Sequence, residues 1–597
     1  MDQRDSTSDR RLLLAGLGLA GAAAIARVAR AGDLNPPPGP IGSTGKSVAD
    51  LASKIAFTDQ GIAKPRRPLA SCPSSGTAQF VITEPGSYYL TGNVAQVPGK
   101  VCVDIQCDDV DLDGDGFIFD GSGGGGGGGA LSCITASQRR CIEIYECAFR
   151  QWNGCCVDMS SCQACFVSDC LFDTCVCPPD ATGEGACCRL GGKSEICDCD
   201  SRDCTGAAMS VGAGSCIEDC TCCGGSGGGF RCASGCCCDN CAVVSHAGQG
   251  FTCGDGCTVC DCECRNVTQG LAIAMGNGCV MERCLSHSSS GFYIGDDGDC
   301  DDTDAILCTG TALVCGNRCR ISGLTCRQVA GAAVRAGQSV SADSMDFTSC
   351  QDGMACGDHS SITGCCARGI TGDSTGTGGV AFACGNNCTV TDCDCRSSVS
   401  TSYQCGSGCC VDRCVCSDGG GDAFVCGVDS SFTDCEARAC ARLAFALPGQ
   451  CSVSRCRAME CVGIDCGPGC VVTECELTAC NGSGGGTLGG AISCRGPRCQ
   501  VDDNTLVDCP IGIYVFGGAE GCCCDGNQIS NSSSAGLIVD GNVASCLCTD
   551  NACTGSPPGA IAFSFGSTAR GPVVDCTGGG DISGLPGSSH HCANWIF

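Results

Sequence analysis

The sequence predicts an all-β protein, a right-handed parallel β-helix of about 20 coils with repeats of about 21 residues. Three observations predict it. The first is repetition. "GNNCTVTDCDCRSSVSTSYQC" (385–405) and "GSGCCVDRCVCSDGGGDAFVC" (406–426) have cysteines in nearly the same places, and 233–253, 254–275, 276–295, 427–447 and 448–466 follow the same pattern. Their consensus is G-x-G-C-x-V-x-x-C-x-C, a polar stretch, then an apolar G-F-x-C. The second is alternation. Cys388 and Val390 would point one way and Thr389 and Thr391 the other, a strand period of 2 and not a helix period of 3.6. The third is the place of the insertions. Two coils, 357–384 and 467–494, run to 28 residues, and their extra "TGDSTGTGG" and "NGSGGGTLGG" fall in the same part of the repeat. Insertions that keep their place are loops leaving one edge of a rod.

The elements follow in order. Residues 1–31 carry Arg10 and Arg11 before an apolar run at 12–26, then Ala29-Arg30-Ala31 as a cleavage signal. This reads as a twin-arginine export signal. The run is too short for a membrane span, so the mature chain is expected to be periplasmic, cell-surface or extracellular, with no stable span. Residues 32–71 form a proline-rich linker with a weak helical signal over 47–70. Residues 72–100, beginning at the first cysteine, Cys72, read as a cap; 101–570 as the β-helix; 571–597 as a closing segment. Within a coil, a bend is expected at Thr391-Asp392 and a further short strand at Tyr403–Cys405. Coils stacked at about 4.8 Å give a rod on the order of 100 Å long.

The chain holds 93 Gly and 73 Cys. An odd count leaves at least one cysteine unpaired within the monomer. Cysteines recur five apart, as in Cys388/Cys393, Cys409/Cys414 and Cys451/Cys456, and Ser215 and Ser430 replace the first of the pair. The position therefore wants small volume, and buried cysteine acts as a small hydrophobe. Inward ladders of stacked thiols are expected, with Cys388, Val390, Cys395 and Cys405 lining the core and Cys393 at a bend. Equivalent residues on adjacent coils keep their Cβ atoms near 4.8 Å, longer than the ~3.8 Å that a disulfide prefers. Disulfides are also rare where twin-arginine substrates fold. The expectation is thiols.

Several segments carry a family resemblance: "ITEPGSYYLTGNV" (82–94), "VDLDGDGFIF" (110–119), the repeated G-x-G-C-x-V-x-x-C coil, and the terminal "HHCANWIF" (590–597). The chain resembles exported right-handed parallel β-helix proteins of planctomycete-type bacteria, with the pectate-lyase-like fold. In the closing motif Cys592 stands where that family usually has Trp. The resemblance implies fold and export, not an activity. Hydrolases of related β-helix folds use a Gly-His-Gly and an Arg-Ile-Lys signature. Here there is no Gly-His-Gly, and Ser322 follows Arg320-Ile321. His246, His287, His359, His590 and His591 share no register.

A formal net charge of −30 disfavours nucleic acid as a partner. It suits cations, and calcium is the cofactor to consider. Asp111, Asp113 and Asp115 match the first half of a calcium loop, although position 12 is Ser122 and not Glu. They read equally as acids on one face of a strand. Asp296, Asp297, Asp299 and Asp301 in "DDGDCDDTD" are the densest acids, read either as an exposed turn or as calcium ligands. Cys238, Cys241, Cys257 and Cys260 fit a zinc spacing, C-x2-C-x15-C-x2-C, but the repeat register accounts for most of them without metal. With 2 Trp and 6 Tyr, aromatic platforms for sugars are few. Three functions follow: a structural, surface or adhesive rod without catalysis; a protein that binds or acts on extracellular polysaccharide; and a thiol-rich sequestrant of soft metals.

Overall fold

The computed structural model describes residues 66–122, 131–178, 185–372, 379–482, 489–540, 543 and 545–555, and beyond these the strands at 561–565, 573–574, 577–578, 581–583 and 595–596. The export signal, the linker up to residue 65, the middle of both long insertions, and the closing motif apart from Trp595–Ile596 lie outside the described residues.

Each coil lays down three short strands, one in each of three parallel sheets of 23 strands. In the coil 385–405 these are Thr389–Thr391 in sheet I, Asp394–Arg396 in sheet II and Tyr403–Cys405 in sheet III. The next coil repeats them in register, with Val390 opposite Val411, Cys395 opposite Cys416 and Tyr403 opposite Phe424. The longer coil preceding it keeps the same register, with Ile362 opposite Val390 and Phe382 opposite Tyr403. Its extra residues fall between Cys366–Arg368 and Phe382–Cys384, the passage from sheet II to sheet III. The insertion near 483–488 falls at the same passage, between Glu476–Thr478 and Ile492–Cys494. Helix among the described residues is confined to one 3-10 turn, Leu69–Ser71, and no helix there is long and apolar enough to cross a membrane.

The coils begin earlier than the sequence suggested. Ala78–Ile82, Gly86–Tyr89 and Val94–Ala95 already join the three sheets, inside the segment read as a cap. Their alternation is partly hidden by polar residues, so only pairing to the following coil reveals them. At the other end, Thr577–Gly578 pairs with Trp595–Ile596 in sheet II.

Each corner is turned by single residues in the left-handed region: Asn387 (φ 55°), Asp392 (φ 54°) and Ser397 (φ 57°) in one coil, Gly408, Arg413 and Asp418 in the next. One such residue redirects an extended chain sharply, and Asn, Asp and Gly bear it most cheaply. The G-x-G of the repeat has two causes. A Cβ on Gly406 would lie 2.6 Å from the Gly385 carbonyl oxygen, so the first glycine permits close stacking. The second, Gly408, takes φ +68°.

The interior is narrow and filled by stacked equivalents. Phe382, Tyr403, Phe424 and Phe445 form a column with centroids 5.2, 4.7 and 4.9 Å apart. Phe119, Phe149 and Phe172 form another at 5.3 Å spacing. Such pairs add about 0.5–1.5 kcal/mol beyond burial. Cys388, Val390, Cys393, Cys395 and Cys405 are all buried, as the alternation predicts.

Candidate functional site

The described cysteines form no disulfides with one another, and among them only Cys223 and Cys410 are exposed. At the corner entering sheet I the thiols do the work of hydroxyls. The Cys388 amide donates to Cys409 Sγ at 3.4 Å, and that thiol donates to the Gly385 carbonyl at 3.2 Å. Cys236, Cys257 and Cys279 repeat the arrangement. Serine makes the same bonds: the Cys409 amide donates to Ser430 Oγ at 3.2 Å, which donates to the Gly406 carbonyl at 3.3 Å. This is why Ser and Cys interchange here. At the corner between sheets I and II a single file of thiols, Cys393, Cys414, Cys435, Cys456 and Cys475, passes into an asparagine ladder. Asn504 Oδ1 accepts the Cys475 amide at 2.9 Å, and Asn527 and Asn551 continue it.

A second pattern sits where sheet III hands over to sheet I. A thiol at the end of a sheet III strand and one four residues later meet the same pair from the next coil. Cys384, Cys388 and Cys409 have sulfurs within 4.8 Å of one another, and Cys405 hydrogen-bonds Cys384 and Cys409. The equivalent group is Cys232, Cys236, Cys253 and Cys257. There, the sulfurs within 4.8 Å of one another are those of Cys232, Cys253 and inward-facing Cys238. Cys466, Cys494, Cys499 and Cys522 gather at the same corner further on. Hydrogen bonding splits the acidities. The contact with Cys384 lowers the pKa of the Cys388 thiol, and contacts with Cys384 and Cys405 lower that of Cys409. Those same contacts push Cys384 far up.

The zinc spacing read from the sequence is not the one assembled. Cys238 points inward from sheet I, Cys241 sits at the next corner, and Cys260 faces outward and half-buried, because period-2 alternation separates them. Cys257 joins Cys253 and Cys236 instead.

The acidic candidates separate similarly. Asp111 and Asp113 share the outer face of Val110–Asp113. Asp113 and Asp115 meet Glu146 of the next coil, with carboxylate oxygens within 4.8 Å, and Asp111 is not in that group. Asp113 accepts the Asp115 amide at 2.8 Å and pairs with Arg66. Glu146 was invisible to loop spacing, since it arrives through the pairing of Asp113 with Tyr145. Asp296 accepts the Asn317 amide at 2.8 Å, Arg318 Nε lies 2.6 Å from Asp297, and Ser322 donates to Asp301. Asp299 opens the Asp299–Asp301 strand, opposite Arg320. Among the described residues these four acids do not converge on one point.

Outside, acids and arginines alternate up the corner between sheets I and II. Arg413 pairs with Asp392 at 2.7 Å and Arg455 with Asp434 at 2.9 Å. Arg283 pairs with Asp261 at 2.7 Å at the same position. Buried His246 hydrogen-bonds the Gly224 carbonyl. A groove of about 340 Å³ near the second long coil is lined by Leu447, Asp465 and Arg495 among others. Arg495 pairs with Asp465 at 2.7 Å and lies 4.3 Å over the Phe516 ring.

No protein-family profile matches the chain, and no curated protein sequence does. Solved structures similar to it include the catalytic domain of a GH87 alpha-1,3-glucanase, at 11% identity over 48% of this chain and 64% of that one, with a TM-score of 0.30. The PL6 family alginate lyase AlyGC is 8% identical over 87% of this chain and 99% of that one, at 0.19. The A-module of the Azotobacter vinelandii mannuronan C-5 epimerase AlgE6 is 11% identical over 81% and 91%, at 0.16. Likenesses this distant say nothing about activity.

Proposed function

We propose that this chain is an exported, non-catalytic rod with a structural, surface or adhesive role. One observation carries the reading: acids along the outer corners hold coil to coil. Asp392, Asp434, Asp261 and Asp297 each bind an arginine about one coil on, and Asp296 caps the next turn. A general acid–base pair needs carboxylates that converge on a shared cleft. With 23 strands per sheet at about 4.8 Å per coil, the rod spans on the order of 100 Å. The test is to incubate the purified full chain with anionic and neutral polysaccharides and with cell-wall preparations. Retention on a surface without release of reducing ends or unsaturated sugars supports the rod. Product release that scales with enzyme concentration overturns it.

A second reading, extracellular polysaccharide binding, is favoured by the groove at Asp465 and Arg495, where the guanidinium stacks on Phe516 beside Tyr514. Weakened glycan retention in Phe516→Ala would support it.

A further inference from the structure

We propose that the group Cys384/Cys388/Cys405/Cys409 binds one thiophilic divalent cation of the zinc class through four thiolates. Four observations carry this.

The first is spacing. The group reads C-x3-C-x16-C-x3-C, two short pairs from consecutive coils, with each pair in the range that closes a zinc chelate. The second is geometry. A tetrahedral site with Zn–S near 2.3 Å has S···S edges of about 3.8 Å, and the sulfurs of Cys384, Cys388 and Cys409 already lie within 4.8 Å of one another. Cys405 completes the set through Cys384 and Cys409. The third is the surrounding amides. Ser360 N–H donates to Cys388 Sγ at 3.3 Å and Cys388 N–H to Cys409 Sγ at 3.4 Å. Such donors orient the ligands and spread their negative charge. The fourth is the contrast with other coils. The sheet III positions are filled elsewhere by Leu190, Met275, Ile294 and Leu447, so volume alone does not require thiols there. The single file at Cys393, Cys414, Cys435 and Cys456 offers each sulfur a neighbour above and one below, which cannot surround an ion.

Binding is not redox: four thiols and one M²⁺ give one tetrathiolate complex and four protons.

The test uses the full chain purified anaerobically and titrated with Co²⁺ alone, then with Zn²⁺. Tetrahedral thiolate d–d bands with sulfur-to-cobalt charge transfer, displaced by Zn²⁺, are expected. The double variant Cys388→Ser/Cys409→Ser should bind one equivalent fewer per chain. It keeps the corner bonds, since Ser360 and Ser430 occupy the same ladder natively, and an unchanged melting profile checks its fold. Cys435→Ser, in the single file, should bind as the parent does. The proposal is overturned if the double variant binds as much cobalt as the parent, if only octahedral cobalt forms, if only Cu(I) binds, or if these thiols are isolated as disulfides.

Discussion

The backbone amide of Cys388 donates to the sulfur of Cys409, whose thiol in turn donates a hydrogen bond to the carbonyl of Gly385. Two coils are thereby joined at a buried corner, beside the backbone bond from the Cys410 amide to the Cys388 carbonyl at 2.9 Å. Removing the sulfur takes the Cys388 amide's partner away, while the Gly385 carbonyl keeps the Gly406 amide at 3.1 Å, and an unpaired buried donor costs about 1–3 kcal/mol. Cys409→Ser should be near neutral and Cys409→Ala should destabilise by about 1–3 kcal/mol, read by urea unfolding of both variants. Equal stability of the two would refute the hydrogen-bonding role.

The asparagine ladder should be more sensitive. Asn527 donates to the Val501 carbonyl at 2.7 Å and to Asn551 at 2.8 Å, and accepts the Asn504 amide at 3.1 Å. Asn527→Ala should cost about 2–4 kcal/mol. Because a solenoid's stability is built from neighbouring coils, hydrogen exchange should accelerate around residues 500–555 and stay unchanged near residue 260. A uniform loss of protection along the chain would count against it.

Leu307 occupies the left-handed region at φ 55° with its side chain 43% exposed. A branched aliphatic residue gains little there and bears strain of about 1–2 kcal/mol. Leu307→Gly or Leu307→Asn should raise the melting temperature, by an amount equivalent to about 0.5–1 kcal/mol. A drop in melting temperature would show that Leu307 packs against something it is not seen to touch.

Hydrogen bonding to Arg455 holds the Asp434 carboxyl below the usual range. A lowered folded pKa contributes stability that is complete above the unfolded value near 4 and is lost as pH falls through the folded value. The pair is exposed, so the contribution is small and salt-screened. The stability gap between the parent chain and Asp434→Asn should be constant from pH 7 to about 5 and close below about pH 4. A gap that widens on acidification would contradict the assignment.

Much of this was legible in the sequence for a physical reason: in a parallel coil the side-chain period is 2 and the stacking period is one repeat, so both appear as sequence periodicities. Val390 inward, Cys393 at the bend and Ser430 in place of a thiol all follow. The quartets did not follow. C-x2-C spacing selects Cys238, Cys241, Cys257 and Cys260, yet alternation sends Cys238 and Cys260 in different directions. Only the handover from sheet III to sheet I brings Cys253 to Cys257 and both to the preceding coil. Glu146 reaches Asp113 and Asp115 through sheet register across coils of unequal length, which loop spacing cannot express. The first coil was read as a cap because its strands lack the cysteines that mark the others.

The central claim is that the cysteines serve as reduced thiols, as corner hydrogen-bonding groups, core filler and ligands. The most direct measurement is the intact mass of the full chain, isolated from its own compartment without reductant, unfolded with a chelator and alkylated. Nearly every cysteine present should carry a label. A chain that takes almost none, its sulfurs paired as disulfides, would contradict the claim.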